Sequence, residues 1–212
     1  MCGTSNVQLV HENGIDRAWT FNDVYGFDAD LLGLIPRPVK AINFLYPTMA
    51  EGNAQYVKEQ EARIIKEDQT VSPHVMYFKQ TIHNACGMMA LIHSLANNSD
   101  IVGPGLFRTL IDKAQHLTVD ERVDLLETSN ELASVHETAG RAGETQAPAA
   151  EAEVEVHYAC FTEMDGDLYE LDGGKPFPIN HGPCTDLVEG EAAKVVVETA
   201  ALHWYATSHV RV

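Results

Sequence analysis

Cys86 has the setting of a cysteine nucleophile. The sequence NACGMMALIHSLANN covers residues 84–98 and places Cys86 in the first turn of a predicted helix. The dipole and the free backbone N–H groups at a helix N-terminus favour a thiolate and lower the pKa of a cysteine. A thiolate is the nucleophile of cysteine enzymes. Most cysteines in helices are small core residues instead, so Cys86 needs further support.

A histidine and an aspartate later in the chain could supply a general base and the carboxylate that orients it. With Asp165-Gly166 as the turn of a hairpin, Asp172 lies opposite Ala159, and His157 points to the same face. The two side chains are then diagonal neighbours, about 7–8 Å apart at the backbone. Together with Cys86 they would form a nucleophile–base–orienter triad. A surface His–Asp pair without a catalytic role is the alternative.

Gln80 is a candidate donor to a developing oxyanion. It lies six residues before Cys86, and a glutamine amide in that place can share a tetrahedral oxyanion with the backbone N–H of the nucleophile. Taken alone, a glutamine is far more often a surface residue. The hypothesis for Gln80 therefore depends on the one for Cys86.

Two His-x-x-Cys pairs offer a rival hypothesis, a structural zinc site. The pairs are His83 with Cys86 and His157 with Cys160. Residues three apart on a strand point to opposite faces, so His157 and Cys160 should diverge, and Cys160 fits better in the core. The sequence therefore favours a site without metal and without a cofactor.

The hydrophobic pattern predicts the elements that position these residues. The helix over 84–98 is apolar on nearly every face, which is typical of a buried central helix, with Asn84 as N-cap and Asn97-Asn98 at its end. Further helices are predicted over 28–34, 54–66, 106–116, 119–126 and 191–202. Strands are predicted over 39–46, 75–79, 154–162, 168–171 and 203–210, and a Gly/Pro-rich loop over 173–182.

Residues 137–153 (ETAGRAGETQAPAAEAE) form the most distinctive segment. They contain no aromatic and no large aliphatic residue, so they cannot bury much apolar surface. We predict a long mobile loop within a single domain that spans residues 1–212. A linker between two domains is the alternative.

Charge and composition exclude several classes of function. The 212 residues carry a formal net charge of −17, with 19 acidic and 5 basic residues in 118–212 alone. Such a field repels a phosphate backbone and argues against nucleic-acid binding, whereas it attracts a basic partner. No stretch is apolar enough for a membrane span or a signal peptide. The four cysteines lack a disulfide pattern, which favours a cytoplasmic setting.

Three segments resemble the ubiquitin carboxyl-terminal hydrolases, a family of cysteine peptidases. They are WTFNDVYGFDADLLGLIPRPVKA (19–41), FKQTIHNACGMMALIHSLANN (78–98) and HYACFTEMDGDLYELDGGKPFPINHG (157–182). The resemblance runs from about residue 19 to residue 182 and is strongest to the short single-domain members. It implies an α/β (α+β) papain-like fold, with a central antiparallel sheet flanked by helices and a knotted backbone.

The resemblance also implies an activity. Cys86 would be the nucleophile, His157 the general base, Asp172 the residue that orients His157, and Gln80 the oxyanion donor. Residues 137–153 match the family's crossover loop. The implied protein is a monomer that cleaves small or unstructured adducts from the C-terminal glycine of ubiquitin or a ubiquitin-like protein. Two alternatives remain: a ubiquitin-binding protein with negligible hydrolysis that stabilises monoubiquitin, and a zinc-stabilised interaction domain.

Overall fold

The computed structural model describes residues 4–47, 53–142, 156–190, 192–196 and 210–211. The helices are α1 (Thr4–Glu12), α2 (Ala29–Leu32), α3 (Asn53–Glu67), α4 (Cys86–Ala96), α5 (Leu106–Ala114), α6 (Val119–Glu127) and α7 (Asn130–Ala142), with a short 3₁₀ turn at Ser99–Ile101. The strands are β1 (Asp23–Val24), β2 (Ala41–Pro47), β3 (Val156–Met164), β4 (Asp167–Leu171), β5 (Ile179–Pro183) and β6 (Val210–Arg211).

The strands form one antiparallel sheet in the order β1-β6-β2-β3-β4-β5. β2 and β3 are paired from Ala41 opposite Thr162 to Pro47 opposite Val156. This long central pair brings the first half of the chain against the second half. It therefore fixes which residues of the two halves can meet in a site.

The β3–β4 hairpin has the register that the sequence predicts. Cys160 pairs with Leu171 across the hairpin. Asp165 and Gly166 in the turn have φ values of 53° and 88°, the left-handed backbone that a tight two-residue hairpin turn requires. The turn thus sets the register of the whole hairpin.

Both faces of the sheet are covered. On one face, Phe44 and Phe161 pack with the segment from Cys184 to Val188. On the other face, Leu171 packs with Ala90 of α4, and α4 lies between the sheet and α5. An antiparallel sheet flanked by helices confirms the architecture that the resemblance predicts. The knotted path of the backbone stays a prediction.

The central helix α4 begins at Cys86, but its predicted N-cap is wrong. The N-cap residue is Ala85, whose side chain makes no capping hydrogen bond, while Asn84 has a φ of 55°. Asn84 therefore precedes the N-cap, with its backbone in the left-handed region. The predicted end is confirmed, since Asn97 is the C-cap and its amide donates to the carbonyl of His93 (2.8 Å).

Residues 75–79 are predicted as a strand, yet they belong to none. The N–H of Phe78 donates to Nε2 of His93 (3.0 Å). The backbone of Met76 exchanges two hydrogen bonds with the Asn97 amide (2.8 and 2.9 Å). Side chains of α4 thus satisfy backbone groups that a neighbouring strand would otherwise bond, and the hydrophobic pattern of 75–79 cannot reveal this.

The predicted helices α2, α3, α5 and α6 and strand β2 are confirmed within a few residues. α6 begins with a capping box, in which the Thr118 hydroxyl accepts the N–H of Glu121 and the Glu121 carboxylate accepts the N–H of Thr118. α1, α7, β1 and β5 have no counterpart in the predictions. β5 begins inside the predicted loop over 173–182, where glycine and proline conceal a short strand.

Residues 137–142, the first part of the loop predicted over 137–153, are helical instead and form the end of α7. Leu132 and Val135 anchor α7 to the core. Residues 143–153 lie outside the described residues.

The last two predicted elements, the helix over 191–202 and the strand over 203–210, are described in part. Of the helix predicted over 191–202, residues 192–196 are helical, and Val210 of the final predicted strand belongs to β6. The rest of both segments lies outside the described residues. No helix in the described part of the chain is long and apolar enough to cross a membrane.

Candidate active site

Cys86 is the first residue of α4 and is half-buried. Burial would raise the pKa of its thiol. A hydrogen bond to His157, the charge of that ring, and the backbone N–H groups of Tyr158 and Gly87 outweigh burial and hold the pKa below its usual value. The sulfur therefore sits where its thiolate form is stabilised.

His157 lies near the start of β3, opposite Tyr46 of β2. Its Nε2 is 2.6 Å from Oδ1 of Asp172, so Nδ1 is the ring nitrogen that remains to face the sulfur of Cys86. Burial would lower the pKa of His157, but hydrogen bonds to Asp172 and Cys86 and their charges raise it to about 10. The geometry therefore favours a thiolate–imidazolium pair at neutral pH.

Asp172 follows the last residue of β4, and its residue surface is 3% exposed. Its Oδ1 accepts from Nε2 of His157 (2.6 Å) and from the N–H of Gly174 (2.8 Å), and its Oδ2 accepts from the hydroxyl of Tyr46 (2.7 Å). Burial would raise the pKa of Asp172. The His157 hydrogen bond and charge, the Tyr46 hydroxyl and the charge of Lys175 lower it to about 2.

Gln80 is tied to the turn that carries Asp172. The backbone N–H of Gln80 donates to the carbonyl of Gly173 (2.8 Å). A Cβ at Gly173 would lie 2.9 Å from Cβ of Gln80, a distance that only glycine permits. One N–H of the Gln80 amide donates to the carbonyl of Ile82 (3.2 Å), which leaves its second N–H for another acceptor.

The structure therefore brings Cys86, His157 and Asp172 into one continuous row of contacts, with Gln80 attached through the neighbouring glycine. The hypothesis of a surface His–Asp pair does not fit this burial. Such a row can hold an ionised nucleophile beside a proton donor, the arrangement that nucleophilic acyl transfer needs.

Two tyrosines that were not predicted as site residues also contact Asp172. Tyr46 bonds its carboxylate. Tyr77 donates to its backbone carbonyl (2.9 Å) and to the carbonyl of Lys175. The contact of Tyr46 with Asp172 could be predicted from the sequence only if the β2–β3 register were known. The contact of Tyr77 could be predicted only from the complete fold.

Glu170, Lys175 and His181 form a buried ionic group near Asp172. Oε1 of Glu170 accepts from Nζ of Lys175 (2.5 Å), and Oε2 of Glu170 contacts Nε2 of His181 (2.9 Å). Glu170 is 2% exposed. Burial would raise the pKa of Glu170, but the charges and hydrogen bonds of Lys175 and His181 lower it.

The other described cysteines have a different chemistry from Cys86. Cys160 is fully buried against the Ser94 hydroxyl (3.3 Å), and burial raises its pKa to about 12. Burial likewise raises the pKa of Cys184 to about 11. His83, the remaining zinc candidate, is exposed. Among the residues that the structure describes, no three His, Cys, Asp or Glu side chains form a group that could hold a metal ion; Cys2 lies outside them.

The sequence matches that of a known family and of several known proteins. The family described as "Ubiquitin carboxyl-terminal hydrolase, family 1" matches residues 5–201. A ubiquitin carboxyl-terminal hydrolase of Aplysia californica is 38% identical over 194 residues, which cover 89% of this chain and 87% of the relative. One from Drosophila melanogaster is 37% identical over 92% and 86% of the two chains. Human ubiquitin carboxyl-terminal hydrolase isozyme L1 is 33% identical over 87% and 82%.

Solved structures give the same fold. The catalytic domain of Trichinella spiralis UCH37, crystallised bound to ubiquitin vinyl methyl ester, superposes with a TM-score of 0.66. The match covers 97% of this chain and 88% of that one at 20% sequence identity. At this identity the likeness is one of fold.

Proposed function

This chain belongs to the ubiquitin carboxyl-terminal hydrolase family, and we propose that it cleaves small or unstructured adducts from the C-terminal glycine of ubiquitin through an acyl-enzyme on Cys86. As a member it is a thiol-dependent deubiquitinating hydrolase. The observation that supports these residue roles is the unbroken row from the Cys86 sulfur through His157 to the buried Asp172 carboxylate.

The first half of the reaction forms the acyl-enzyme. The thiolate of Cys86 attacks the carbonyl carbon of the terminal glycine, and the carbonyl oxygen becomes an oxyanion. The N–H of Cys86, free because it is in the first turn of a helix, and the second amide N–H of Gln80 hold that oxyanion. The tetrahedral intermediate collapses as the imidazolium of His157 protonates the leaving amine, which yields a thioester and a neutral imidazole.

The second half releases ubiquitin. Neutral His157 takes a proton from water, the hydroxide attacks the thioester carbonyl, and the Cys86 thiolate leaves as the C–S bond breaks. Asp172 keeps Nε2 of His157 engaged in both halves, so Nδ1 stays directed at the sulfur. The chemistry requires no metal and no organic cofactor.

The charge of the chain suits this substrate. The strongly acidic surface attracts a partner whose tail carries basic residues, as expected from the net charge of −17. The same field disfavours nucleic acid as a partner. Ubiquitin and ubiquitin-like proteins, each carrying the same fluorophore at its C-terminus, would show which modifier is preferred.

Turnover of a fluorogenic ubiquitin C-terminal amide tests the assignment. Cys86→Ala should abolish turnover and largely retain ubiquitin affinity, because it removes one sulfur and no surface. Cys184→Ala is the matched control, since that thiol is buried and its pKa is raised; it should retain turnover. A Cys86→Ala protein that still cleaves the substrate would end the assignment.

The size limit on the adduct needs its own comparison. Ubiquitin with a short peptide at its C-terminus should be cleaved faster than ubiquitin fused to a stable folded domain. Equal rates would remove the restriction to small or unstructured adducts and leave the catalytic roles untouched. A binding protein with negligible hydrolysis is not favoured, because the contacts of His157 with Cys86 and Asp172 support an ionised nucleophile beside a proton donor.

A further inference from the structure

Tyr46 joins three neighbouring parts of the sheet at the site. It is the cross-strand partner of His157 in the β2–β3 pair. Its hydroxyl reaches the carboxylate of Asp172 (2.7 Å), a residue 126 positions later in the chain. Its ring meets the imidazole of His157 edge-on, with ring centroids 5.6 Å apart and an interplanar angle of 72°. One side chain thus contacts both the base and the carboxylate that orients the base.

The hydroxyl occupies the one carboxylate oxygen that His157 does not use. Oδ1 of Asp172 accepts from His157 and from the N–H of Gly174, whereas Oδ2 accepts from Tyr46. A carboxylate bonded at both oxygens cannot rotate about its Cβ–Cγ bond without losing a hydrogen bond. Without the Tyr46 hydroxyl, only the hydrogen bonds at Oδ1 would fix the orientation of the Asp172 carboxylate.

The tyrosine is a fixed donor. Burial, followed by the charge of Asp172 and the hydrogen bond to it, raises the pKa of Tyr46 far above the ordinary value. The hydroxyl therefore stays protonated at neutral pH. It can donate to the carboxylate in both halves of the reaction and never competes with His157 for a proton.

We propose that Tyr46 is a positioning residue of the active site, whose hydroxyl locks the Asp172 carboxylate so that His157 keeps Nδ1 on the Cys86 sulfur. The inference rests on the roles proposed above for these three residues. It adds one more side chain to the site, from strand β2, which carries none of the catalytic groups. Tyr46 acts through Asp172 and His157, without touching the substrate.

Tyr46→Phe removes the hydroxyl and keeps the ring. A hydrogen bond to a charged group can favour one orientation by a factor of about 10–100, and part of that factor should reach the transition state. We expect kcat to fall about tenfold and KM for the ubiquitin amide to change less than about twofold, since no substrate contact is lost. Tyr169→Phe is the matched control, because it removes another buried phenol hydroxyl, one that bonds Ser72 and Asn180 instead; it should leave kcat unchanged.

Alkylation of Cys86 separates positioning from a purely structural role. Iodoacetamide labelling, followed on the Cys86 peptide by mass spectrometry, reports the fraction of thiolate at each pH and needs no ubiquitin. A less well held His157 stabilises the thiolate less, so the midpoint in Tyr46→Phe should move upward by about half a pH unit or more. A structural role alone would lower the melting temperature without moving this midpoint.

A double-mutant cycle tests the route through Asp172. In an Asp172→Asn background, Tyr46→Phe should change kcat by less than about twofold, because the carboxylate it orients is gone. A wild-type kcat and midpoint in Tyr46→Phe would reject the positioning role, and so would full additivity with Asp172→Asn. An unfolded Tyr46→Phe beside a folded Tyr169→Phe would make the hydroxyl structural and reject it equally. None of these results would affect the hydrolase assignment, which Cys86→Ala tests separately.

Discussion

Acidification should weaken the fold through His93, a histidine in the middle of α4. The residue is 0% exposed, its ring stacks on Tyr77 at 5.5 Å, and its Nε2 accepts the N–H of Phe78. The neutral ring therefore carries its proton on Nδ1, and protonation of Nε2 would break the bond to Phe78. Burial lowers the pKa of His93 to about 4, although the negative charge of Asp172 opposes the shift.

The size of the effect follows from the two pKa values of His93. The ordinary value is 6.5 and the value in the folded protein is about 4, a gap that corresponds to about 3 kcal/mol. As the pH falls, the unfolded chain takes up a proton near pH 6.5 while the folded chain does not. The contribution to stability is therefore complete above pH 6.5, declines as the pH falls, and is lost below about pH 4.

Urea unfolding of the wild type and of His93→Gln between pH 8 and pH 4 measures this. Glutamine offers an amide oxygen to the N–H of Phe78 and does not titrate. Below pH 6.5 the free energy of unfolding should fall more in the wild type than in His93→Gln, with a difference approaching about 3 kcal/mol at pH 4. His116→Gln, at an exposed histidine, should follow the wild type.

The comparison isolates His93, because the charges of Cys86, His157 and Asp172 are common to both proteins and cancel in the difference. His93→Gln should be less stable than the wild type at pH 7, where the stacked ring still contributes. Parallel curves of stability against pH for the wild type and His93→Gln would refute the reasoning, since they would mean that His93 takes up its proton as easily in the folded protein as in the unfolded chain.

Three further changes test the site and its surroundings. Alkylation of Cys86 should persist at pH values where an ordinary thiol is protonated, and His157→Ala should shift the profile to higher pH; identical profiles would contradict the ion pair. Gly173→Ala should lower kcat/KM at least about tenfold and the free energy of unfolding by about 1–3 kcal/mol. The reason is that the new Cβ would lie 2.9 Å from Cβ of Gln80. A variant with the kcat/KM and melting temperature of the wild type would contradict this. A Cβ at Gly140 in α7 would have nothing within 4 Å. Gly140→Ala should therefore raise the free energy of unfolding by up to about 1 kcal/mol through helix propensity without changing turnover. A lower melting temperature would contradict this.

The parts of the site that local sequence controls were predictable. The hydrophobic pattern places Cys86 at the start of a buried helix. The Asp165-Gly166 turn sets the register that puts His157 and Asp172 on one face, because a two-residue turn leaves little choice of pairing. Both inferences need contacts only within one helix or one hairpin. The resemblance then supplies the link between the two, which local patterns cannot provide.

The supports of the site depend on contacts between distant parts of the chain, so no local pattern reveals them. Tyr46 reads as an ordinary strand residue, and its role appears only when β2 lies beside β3. His93 and Asn97 look like ordinary polar residues of a buried helix in the sequence, yet they bond the backbone of 75–79. The strand prediction for that segment fails for the same reason, since side chains replace a strand partner.

Hydrogen-bonding and charged neighbours lower the pKa of the Cys86 thiol against the effect of burial. Burial is the largest single influence on this thiol and acts against ionisation, whereas the strongest opposing influences are the hydrogen bond and charge of His157. His157 in turn stays protonated because Asp172 is ionised. The charge of Lys175 helps to keep Asp172 ionised, because it lowers the pKa of that carboxyl group. Each buried charge alone would cost several kcal/mol, so each depends on the opposite charge beside it. The helix terminus that the sequence predicts contributes through the N–H of Gly87, whereas His157 has the larger effect on this thiol.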